Sequence, residues 1–192
     1  MPPYVFTEDW FSNNIPMWKS VLGHLPSAAC HALEIGSFQG RSAVWLLENA
    51  LTHPGSTLTC IDTFRGSDEH TVDQVNGMFE VFTSNIDATG RSSDVRVLAQ
   101  NSTVALASLL PRGPCMNFVY VDGDHHASQV LLDAAMAFEL LVVGGIMIFD
   151  DYMWGDTEGD SVKRGVDAWL HANFKRASVL FSGYQLGVVK LA

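Results

Sequence analysis

Short apolar runs that end in acidic or glycine-rich turns recur along the chain. The clearest run covers residues 116–121 and leads directly into Asp122 and His125. This pattern is typical of a buried parallel strand that delivers polar groups to the rim of a sheet. The next segment, residues 127–142, has helical spacing. Its expected apolar face is made of Val130, Leu131, Ala134, Ala135, Phe138, Leu141 and Val142.

A second apolar run, residues 145–149, ends in Asp150 and Asp151, twenty-eight residues after Asp122. The two runs and the helix between them predict a β-α-β unit whose strands both end in aspartate. Ligands of open α/β sheets bind beyond the carboxyl ends of the strands. We therefore expect the three carboxylates and His125 to meet at one place.

Nearer the N-terminus, residues 31–35 predict a strand, and residues 41–47 predict a helix. The turn between them contains Gly36 and Gly40, which permit a tight bend and a close approach of the backbone to a ligand. A strand, a glycine turn and a helix N-terminus together favour nucleotide binding. The glycine spacing is not Gly-x-Gly-x-x-Gly, which argues against a dinucleotide pyrophosphate.

Two further strand ends carry candidate ligand groups. The strand over residues 57–61 ends at Asp62, whose carboxylate is placed to accept both hydroxyls of a ribose. Asp62 could instead be a turn residue or a helix N-cap. The strand over residues 95–99 is followed by Asn101 and Ser102, which could read an adenine edge, cap the next helix, or do both.

The other elements complete an α/β pattern. Residues 1–29 have rough helical spacing interrupted by Pro16, which predicts a helix packed on the sheet edge or a lid over the site. The remaining runs predict helices over residues 72–88 and 162–173 and a hairpin of strands over residues 178–181 and 186–190. We expect a Rossmann-like, seven-stranded, mostly parallel sheet with helices on both faces, closed by a C-terminal antiparallel hairpin that supplies an antiparallel edge strand.

Composition narrows the class of protein. The 192 residues are 47% hydrophobic and 17% charged, which predicts one globular domain. Within it, we expect residues 1–29 to form a helical cap or lid and residues 30–192 to form the core that carries the site. The net charge of −10 argues against nucleic acid and anionic membranes as partners. Three scattered cysteines favour a reducing compartment, and no leader or spanning segment is apparent. We expect a cytoplasmic protein acting on a small molecule, with a homodimer conceivable.

These motifs together resemble those of the class I S-adenosylmethionine-dependent methyltransferases. The residues that carry the resemblance are Glu34-Ile-Gly36-Ser-Phe-Gln-Gly40, Asp62, Gln100-Asn101-Ser102, Val121-Asp122-Gly123-Asp124-His125 and Gly144-Gly145-Ile-Met-Ile-Phe-Asp150-Asp151. The resemblance implies a donor site made of Glu34, Gly36, Ser37, Gly40, Ser42, Asp62, Asn101, Ser102, Asp122 and Gly123.

Within that class, the acidic positions resemble those of the metal-dependent O-methyltransferases of the catechol, caffeoyl-coenzyme A and macrolide-sugar types. This resemblance implies Mg²⁺ on Asp122, Asp150 and Asp151, with His125, three residues after the first aspartate, as the general base. The Asp150-Asp151 pair departs from the Asp-Asn pair of the catechol type, which leaves the coordination open.

The chemistry supports the same set of residues. A bound cation lowers the pKa of an acceptor hydroxyl, and a nearby imidazole takes its proton. Carboxylate oxygens are the ligands that Mg²⁺ prefers, and converging carboxylates without a cation would repel one another. In an alternative arrangement, Asp150 is a structural acid bonded to backbone amides, and Asp151 alone faces outward.

Three other functions stay open at this stage: a metal-independent N- or O-methyltransferase, an NAD-linked oxidoreductase, and a non-catalytic module that binds S-adenosylmethionine. The loop that begins at Tyr152, Met153 and Trp154 and continues through residues 155–160 is rich in aromatic and acidic side chains. It suggests a flat or glycosylated acceptor, although packing could also explain these residues.

Overall fold

The computed structural model describes residues 4–26, 28–66, 71–154 and 161–192. The chain divides into two compact units, Met1–Asn101 and Ser102–Ala192. Each unit holds part of the strand-and-helix pattern that the sequence predicts.

The first unit contains three parallel strands in the order β3-β2-β1. Its elements are a 3₁₀ turn at Ser12–Asn14, then α1 (Ile15–Leu22), β1 (His31–Ile35), α2 (Arg41–Asn49), β2 (Thr57–Asp62), α3 (Val72–Val75), α4 (Met78–Ala88), a 3₁₀ turn at Ser92–Asp94, and β3 (Val95–Ala99). In β1, every residue after His31 is buried. Continuous burial of this kind is expected for a strand covered on both faces.

The helix predicted over residues 72–88 is two helices. Asn76 is extended and Gly77 has φ +73°, so the backbone leaves the helical region between α3 and α4. Thr71 and Gln74 form a capping box that starts α3. Helical spacing alone did not reveal this break, because apolar periodicity continues across it.

The N-terminal helix α1 packs through Trp18, whose ring lies 4.8 Å from that of Phe11 and 5.7 Å from that of Trp45 on α2. The helical spacing of residues 1–29 is interrupted near Pro16, where the 3₁₀ turn ends at Asn14 and α1 begins at Ile15. Pro16 lies in the first turn, where the missing N–H has no intrahelical partner to lose. Trp10 keeps 58% of its surface exposed, and a lid role for this segment stays a prediction.

The second unit contains four strands in the order β4-β5-β7-β6. Its elements are α5 (Ser102–Leu109), a 3₁₀ turn at Leu110–Arg112, then β4 (Met116–Val121), α6 (Ala127–Leu140), β5 (Leu141–Phe149), α7 (Val162–Asn173), β6 (Ala177–Ser182) and β7 (Leu186–Lys190). Strands β4 and β5 are parallel, whereas β7 is antiparallel to both β5 and β6. The reversed strand is therefore β7, and the expectation that it forms the sheet edge is wrong.

The boundary between α6 and β5 also differs from the prediction. The helix ends at Leu140, and Leu141 begins the strand. Lys190 donates hydrogen bonds from Nζ to the carbonyl oxygens of Phe138 and Leu141, each at 2.8 Å, which satisfies acceptors at the end of the helix. The predicted apolar face of α6 is correct at Phe138 but not at Leu131, which is 38% exposed.

The core of the second unit lies where α6, α7 and β5 pack together. The Trp169 ring lies 5.0 Å from that of Phe138 and 5.4 Å from that of Phe149. At Gly165, an added Cβ would lie 2.5 Å from the carbonyl oxygen of Ala127, so α7 approaches α6 too closely for any side chain there.

The described residues contain seven strands, with mainly parallel pairing, flanking helices and a C-terminal antiparallel hairpin. This arrangement confirms the predicted Rossmann-like α/β class. Within the part of the chain that the structure describes, no helix is both long and apolar enough to cross a membrane.

Candidate functional site

The glycine turn between β1 and α2 has the tight geometry that the sequence predicts. Gly36 has φ +84° and donates its N–H to the carbonyl oxygen of Ile61 at 2.8 Å. Gly40 has φ +81° at the N-cap of α2, and an added Cβ would lie 2.9 Å from Cδ2 of Phe82. Glycine at position 40 is thus required by both conformation and space.

Asp62 holds this turn through its carboxylate. Oδ2 accepts hydrogen bonds from the N–H groups of Ser37 at 2.7 Å and Phe38 at 2.9 Å, and Oδ1 accepts one from the N–H of Phe64 at 2.7 Å. Phe38 and Phe64 both have positive φ, at 47° and 52°. A carboxylate offers about four acceptor positions, so one further donor fits on Asp62 besides these three.

Glu34 lies beneath the turn, fully buried. Its two oxygens accept hydrogen bonds from the hydroxyls of Ser37 and Ser42, each at 2.6 Å, and the thiol of Cys60 approaches within 3.6 Å. Burial raises the pKa of Glu34 to about 7, although these hydrogen bonds act in the opposite direction. Glu34 therefore joins the glycine turn, through Ser37, to the first turn of α2, through Ser42, and its role in donor binding stays a prediction.

Asn101 and Ser102 lie at the boundary between the two units. Asn101 is exposed and directly precedes α5, which begins at Ser102. The Ser102 hydroxyl accepts a hydrogen bond from Nε2 of Gln129 at 3.1 Å. Asn101 thus occupies the N-cap position of α5, and a role in reading adenine stays a prediction for both residues.

In the second unit, Asp122, His125 and Asp151 form a cluster after the ends of β4 and β5. Each is half-buried, and each offers one ligand atom within 4.8 Å of the others. Nε2 of His125 lies 3.1 Å from Oδ2 of Asp151. Two of the three predicted metal ligands therefore lie together, and an imidazole accompanies them.

Asp151 is held from two sides and has an unusual backbone. Its φ is +52°, in the left-handed region that is uncommon for residues other than glycine. The Tyr184 hydroxyl donates to Oδ1 at 2.6 Å, opposite the contact with His125. Burial acts to raise the pKa of Asp151, but the hydrogen bonds from His125 and Tyr184 bring it below its usual value.

Asp150 is placed differently from its neighbour. It is buried, and its carboxylate accepts hydrogen bonds from the Tyr120 hydroxyl and, at 2.8 Å, from the N–H of Asp151. Burial, followed by the charge of Asp151, raises the pKa of Asp150. This geometry is that of the structural acid considered as an alternative above, with Asp151 facing the cluster.

The turn that carries His125 is stabilised locally. Asp124 accepts the backbone N–H of His126 at 2.7 Å, and His126 occupies the N-cap position of α6. Gly123 is half-buried between the two aspartates. A small cleft at the cluster is lined by three valines, Val121, Val130 and Val162. The polar residues that line it are Asp122, Asp124, His125, Asp150 and Asp151.

The aromatic residues after the acidic pair divide into two groups. Tyr152 is buried, and its hydroxyl donates a hydrogen bond to Asp167 on α7 at 2.7 Å, so its role is structural. Trp154 is 42% exposed, and its ring lies 4.9 Å from the imidazole of His125. Residues 155–160, which complete the predicted loop, lie outside the described residues.

Sequence reasoning missed two tyrosines in this region. Tyr120 lies on β4, two positions before Asp122, and in extended backbone this spacing directs two side chains to the same side, a signal that could have identified Tyr120. Tyr184 lies in the turn between β6 and β7, and it reaches Asp151 only because β7 pairs with β5. No local pattern indicates that contact.

Comparisons with known proteins agree with this architecture. A family model described as a methyltransferase domain matches residues 33–152, more than half of the chain. No curated protein sequence matches this chain. Among solved structures, an O-methyltransferase from Bacillus cereus in complex with SAH is 18% identical, with a TM-score of 0.68 over 96% of this chain and 84% of that one.

A second similar structure is TomG from Streptomyces achromogenes, an O-methyltransferase involved in tomaymycin synthesis, solved with SAM. It is 20% identical, with a TM-score of 0.69 over 92% of this chain and 80% of that one. At these identities the likeness establishes the fold, whereas the family match establishes membership. The chain belongs to the methyltransferase-domain family, within the class I S-adenosylmethionine-dependent methyltransferases.

Proposed function

We propose that this enzyme transfers the methyl group of S-adenosylmethionine to a hydroxyl of a small molecule, with His125 as the general base. The observation that carries the proposal is the contact between Nε2 of His125 and Oδ2 of Asp151 within the cluster that includes Asp122. A carboxylate that orients an imidazole and stabilises its protonated form is a recurrent arrangement for general bases.

The glycine turn supports the assignment of the donor site. Gly36 makes the tight bend of this turn, and the N-terminus of α2 begins directly after Gly40, which packs against Phe82. Asp62 retains room for one further donor, which suits one ribose hydroxyl rather than the two expected from the sequence. Glu34 and Ser42 hydrogen-bond to each other and support this turn, and a contact of either residue with the donor stays a prediction.

The donor set of the acidic cluster fits a divalent cation. Asp122 and Asp151 are hard oxygen ligands, and Mg²⁺ is commonly bound through one or two carboxylates while it keeps several waters. When bound there, the cation would lower the pKa of the acceptor hydroxyl. His125 would then keep its role as base, because two carboxylates suffice for this mode of binding.

The methyl transfer requires only the donor, the acceptor hydroxyl and a base. As the hydroxyl oxygen attacks the methyl carbon, the carbon–sulfur bond of the sulfonium breaks, and S-adenosylhomocysteine leaves with the bonding pair. His125 takes the hydroxyl proton. Since this displacement requires the oxygen, carbon and sulfur to be in line, alignment of donor and acceptor is the main task of the protein.

The test combines donor binding, cation binding and turnover. Calorimetry should give saturable binding of S-adenosylhomocysteine, followed by saturable binding of Mg²⁺ to the loaded protein. Methyl transfer from labelled S-adenosylmethionine is then measured on a panel of catechols, phenols and hydroxylated sugars. Asp122→Asn and Asp151→Asn should lose cation binding, and Asp124→Asn, a matched charge loss in the same turn, should retain it.

A metal-independent methyltransferase is the second candidate, because the pairing of His125 with Asp151 requires no cation. Transfer that continues undiminished in excess chelator would favour this candidate and overturn the role of Mg²⁺. Absence of transfer to any acceptor, with the donor product still bound, would favour the non-catalytic module. Membership of the methyltransferase family argues against the NAD-linked oxidoreductase. The acceptor, a homodimer and a cytoplasmic location stay predictions.

A further inference from the structure

The C-terminal hairpin contributes a side chain to the acidic cluster. Tyr184 lies in the turn between β6 and β7, and this turn is closed by a hydrogen bond from the N–H of Gly183 to the carbonyl oxygen of Gln185 at 2.9 Å. The Tyr184 carbonyl oxygen accepts the N–H of Met153 at 3.3 Å, while its hydroxyl donates to Asp151. The hairpin turn is thus connected at two points to the segment that follows β5.

The ladder between β5 and β7 fixes where this turn lies. Phe149, the last residue of β5, pairs with Leu186, the first residue of β7. The residues before Leu186 therefore lie beside the residues after Phe149. Because this register comes from backbone hydrogen bonds of the sheet, the position of Tyr184 relative to Asp151 is set by the fold rather than by a flexible loop.

The two oxygens of Asp151 have different partners. Oδ2 contacts Nε2 of His125 at 3.1 Å, and Oδ1 accepts the hydroxyl of Tyr184 at 2.6 Å. A carboxylate held at one oxygen only can rotate about its bond to Cβ. A second hydrogen bond, from an independent element, restricts that rotation and thereby the orientation of the imidazole.

We propose that Tyr184 is a positioning residue of the transfer reaction: its hydroxyl fixes the carboxylate of Asp151, and Asp151 in turn fixes the imidazole of His125. This inference rests on the proposed function for the role of His125 as base. Partners that orient a catalytic or ligating side chain in this way typically contribute about ten- to hundredfold to activity.

The experiment compares Tyr184→Phe with Tyr4→Phe. Tyr4 is a matched control, since its hydroxyl also donates to a carboxylate, that of Glu48 at 2.5 Å in the first unit. Proteins labelled with ¹⁵N-histidine are compared by NMR, and the His125 signals are assigned with His125→Gln. In the wild type we expect an Nε2-bound proton protected from exchange. Tyr184→Phe should lose this protection, and Tyr4→Phe should keep it.

Kinetics on the acceptor found by the panel supply the second readout. Tyr184→Phe should lower kcat about ten- to hundredfold and leave the KM for S-adenosylmethionine within twofold. In the His125→Gln background the same substitution should have little further effect, because a residue that acts through His125 has nothing left to position. Calorimetry with S-adenosylhomocysteine verifies that each variant is folded and binds the donor product.

The outcomes separate this inference from the proposed function. An unchanged His125 signal and an unchanged kcat in Tyr184→Phe would overturn the positioning role. An equal loss of kcat with and without His125 would also overturn it, because Tyr184 would then act by another route. If Tyr184→Phe loses the protected Nε2 proton of His125 but the wild type methylates no acceptor, the positioning of His125 is supported and the proposed reaction is refuted.

Discussion

The hydroxyl of Ser42 donates to the buried carboxylate of Glu34 at 2.6 Å. This contact joins the first turn of α2 to β1, and Ser37 makes the equivalent contact from the glycine turn. The turn that the sequence assigns to donor binding is therefore held by the buried carboxylate of Glu34. Loss of the hydrogen bond between Ser42 and Glu34 should therefore change both the free energy of unfolding and the affinity for the donor.

Ser42→Ala should lower the free energy of unfolding by about 2 kcal/mol at pH 8, because a buried charged acceptor loses one of its donors. The loss should be smaller at pH 5, where Glu34 is protonated and needs fewer donors. Urea denaturation at both pH values measures the effect. Ser84→Ala, at an exposed position on α4, is the control, and an equal loss in that variant would contradict the role of Ser42.

Stability should fall as pH rises through the range from about 4.5 to 7. The folded-state pKa of Glu34 is raised to about 7 from 4.5, so the folded protein binds the proton more tightly than the unfolded chain does. The stabilising contribution is complete below pH 4.5 and is lost above pH 7, by about 3 kcal/mol at 1.36 kcal/mol per unit. Asp133, whose pKa burial raises to about 6, acts in the same direction.

Urea denaturation between pH 5 and pH 8 tests this dependence against Glu34→Gln. Glutamine cannot ionise, so the variant should retain only a smaller slope, to which Asp133 and Asp150 contribute because burial raises the pKa of both. A slope as steep as that of the wild type would show that Glu34 ionises without cost to the fold.

Gly40→Ala should destabilise the protein more than Gly90→Ala. Both glycines have positive φ, at 81° and 69°, so both substitutions incur conformational strain of about 1 kcal/mol. Only Gly40 has a close neighbour, since a Cβ there would lie 2.9 Å from Phe82, whereas nothing lies within 4 Å at Gly90. The difference in unfolding free energy between the two variants measures this contact, and equal values would contradict it.

Asp150→Asn and Asp151→Asn should have different effects although the residues are adjacent. Asp151→Asn should lose most Mg²⁺ affinity, measured by calorimetry on the protein loaded with S-adenosylhomocysteine. Asp150→Asn should retain measurable affinity but lower the free energy of unfolding by about 1–3 kcal/mol, because its buried side chain can no longer satisfy both Tyr120 and the N–H of Asp151. A complete loss of Mg²⁺ binding in Asp150→Asn would instead support the three-aspartate site expected from the sequence.

Much of the fold was predictable because its signals are local. The three strands of the first unit are short, mainly apolar runs, and each of these three is observed with bounds within one residue of its prediction. The errors occur where local signals conflict or are weak. Gly77 breaks a helix whose apolar spacing continues, and Leu141 begins a strand although it fits the preceding helical pattern.

The sequence by itself determined that acidic residues lie at the end of β2 and directly after β4 and β5, because strand ends and their turns are encoded by neighbouring residues. It could not determine which of Asp150 and Asp151 faces the cluster, since that choice depends on the buried hydroxyl of Tyr120 and on the backbone conformation at Asp151. Nor could it reveal Tyr184, which is thirty-three residues from Asp151 along the chain. That contact exists because β7 pairs with β5, and only tertiary structure brings such distant residues within hydrogen-bonding distance.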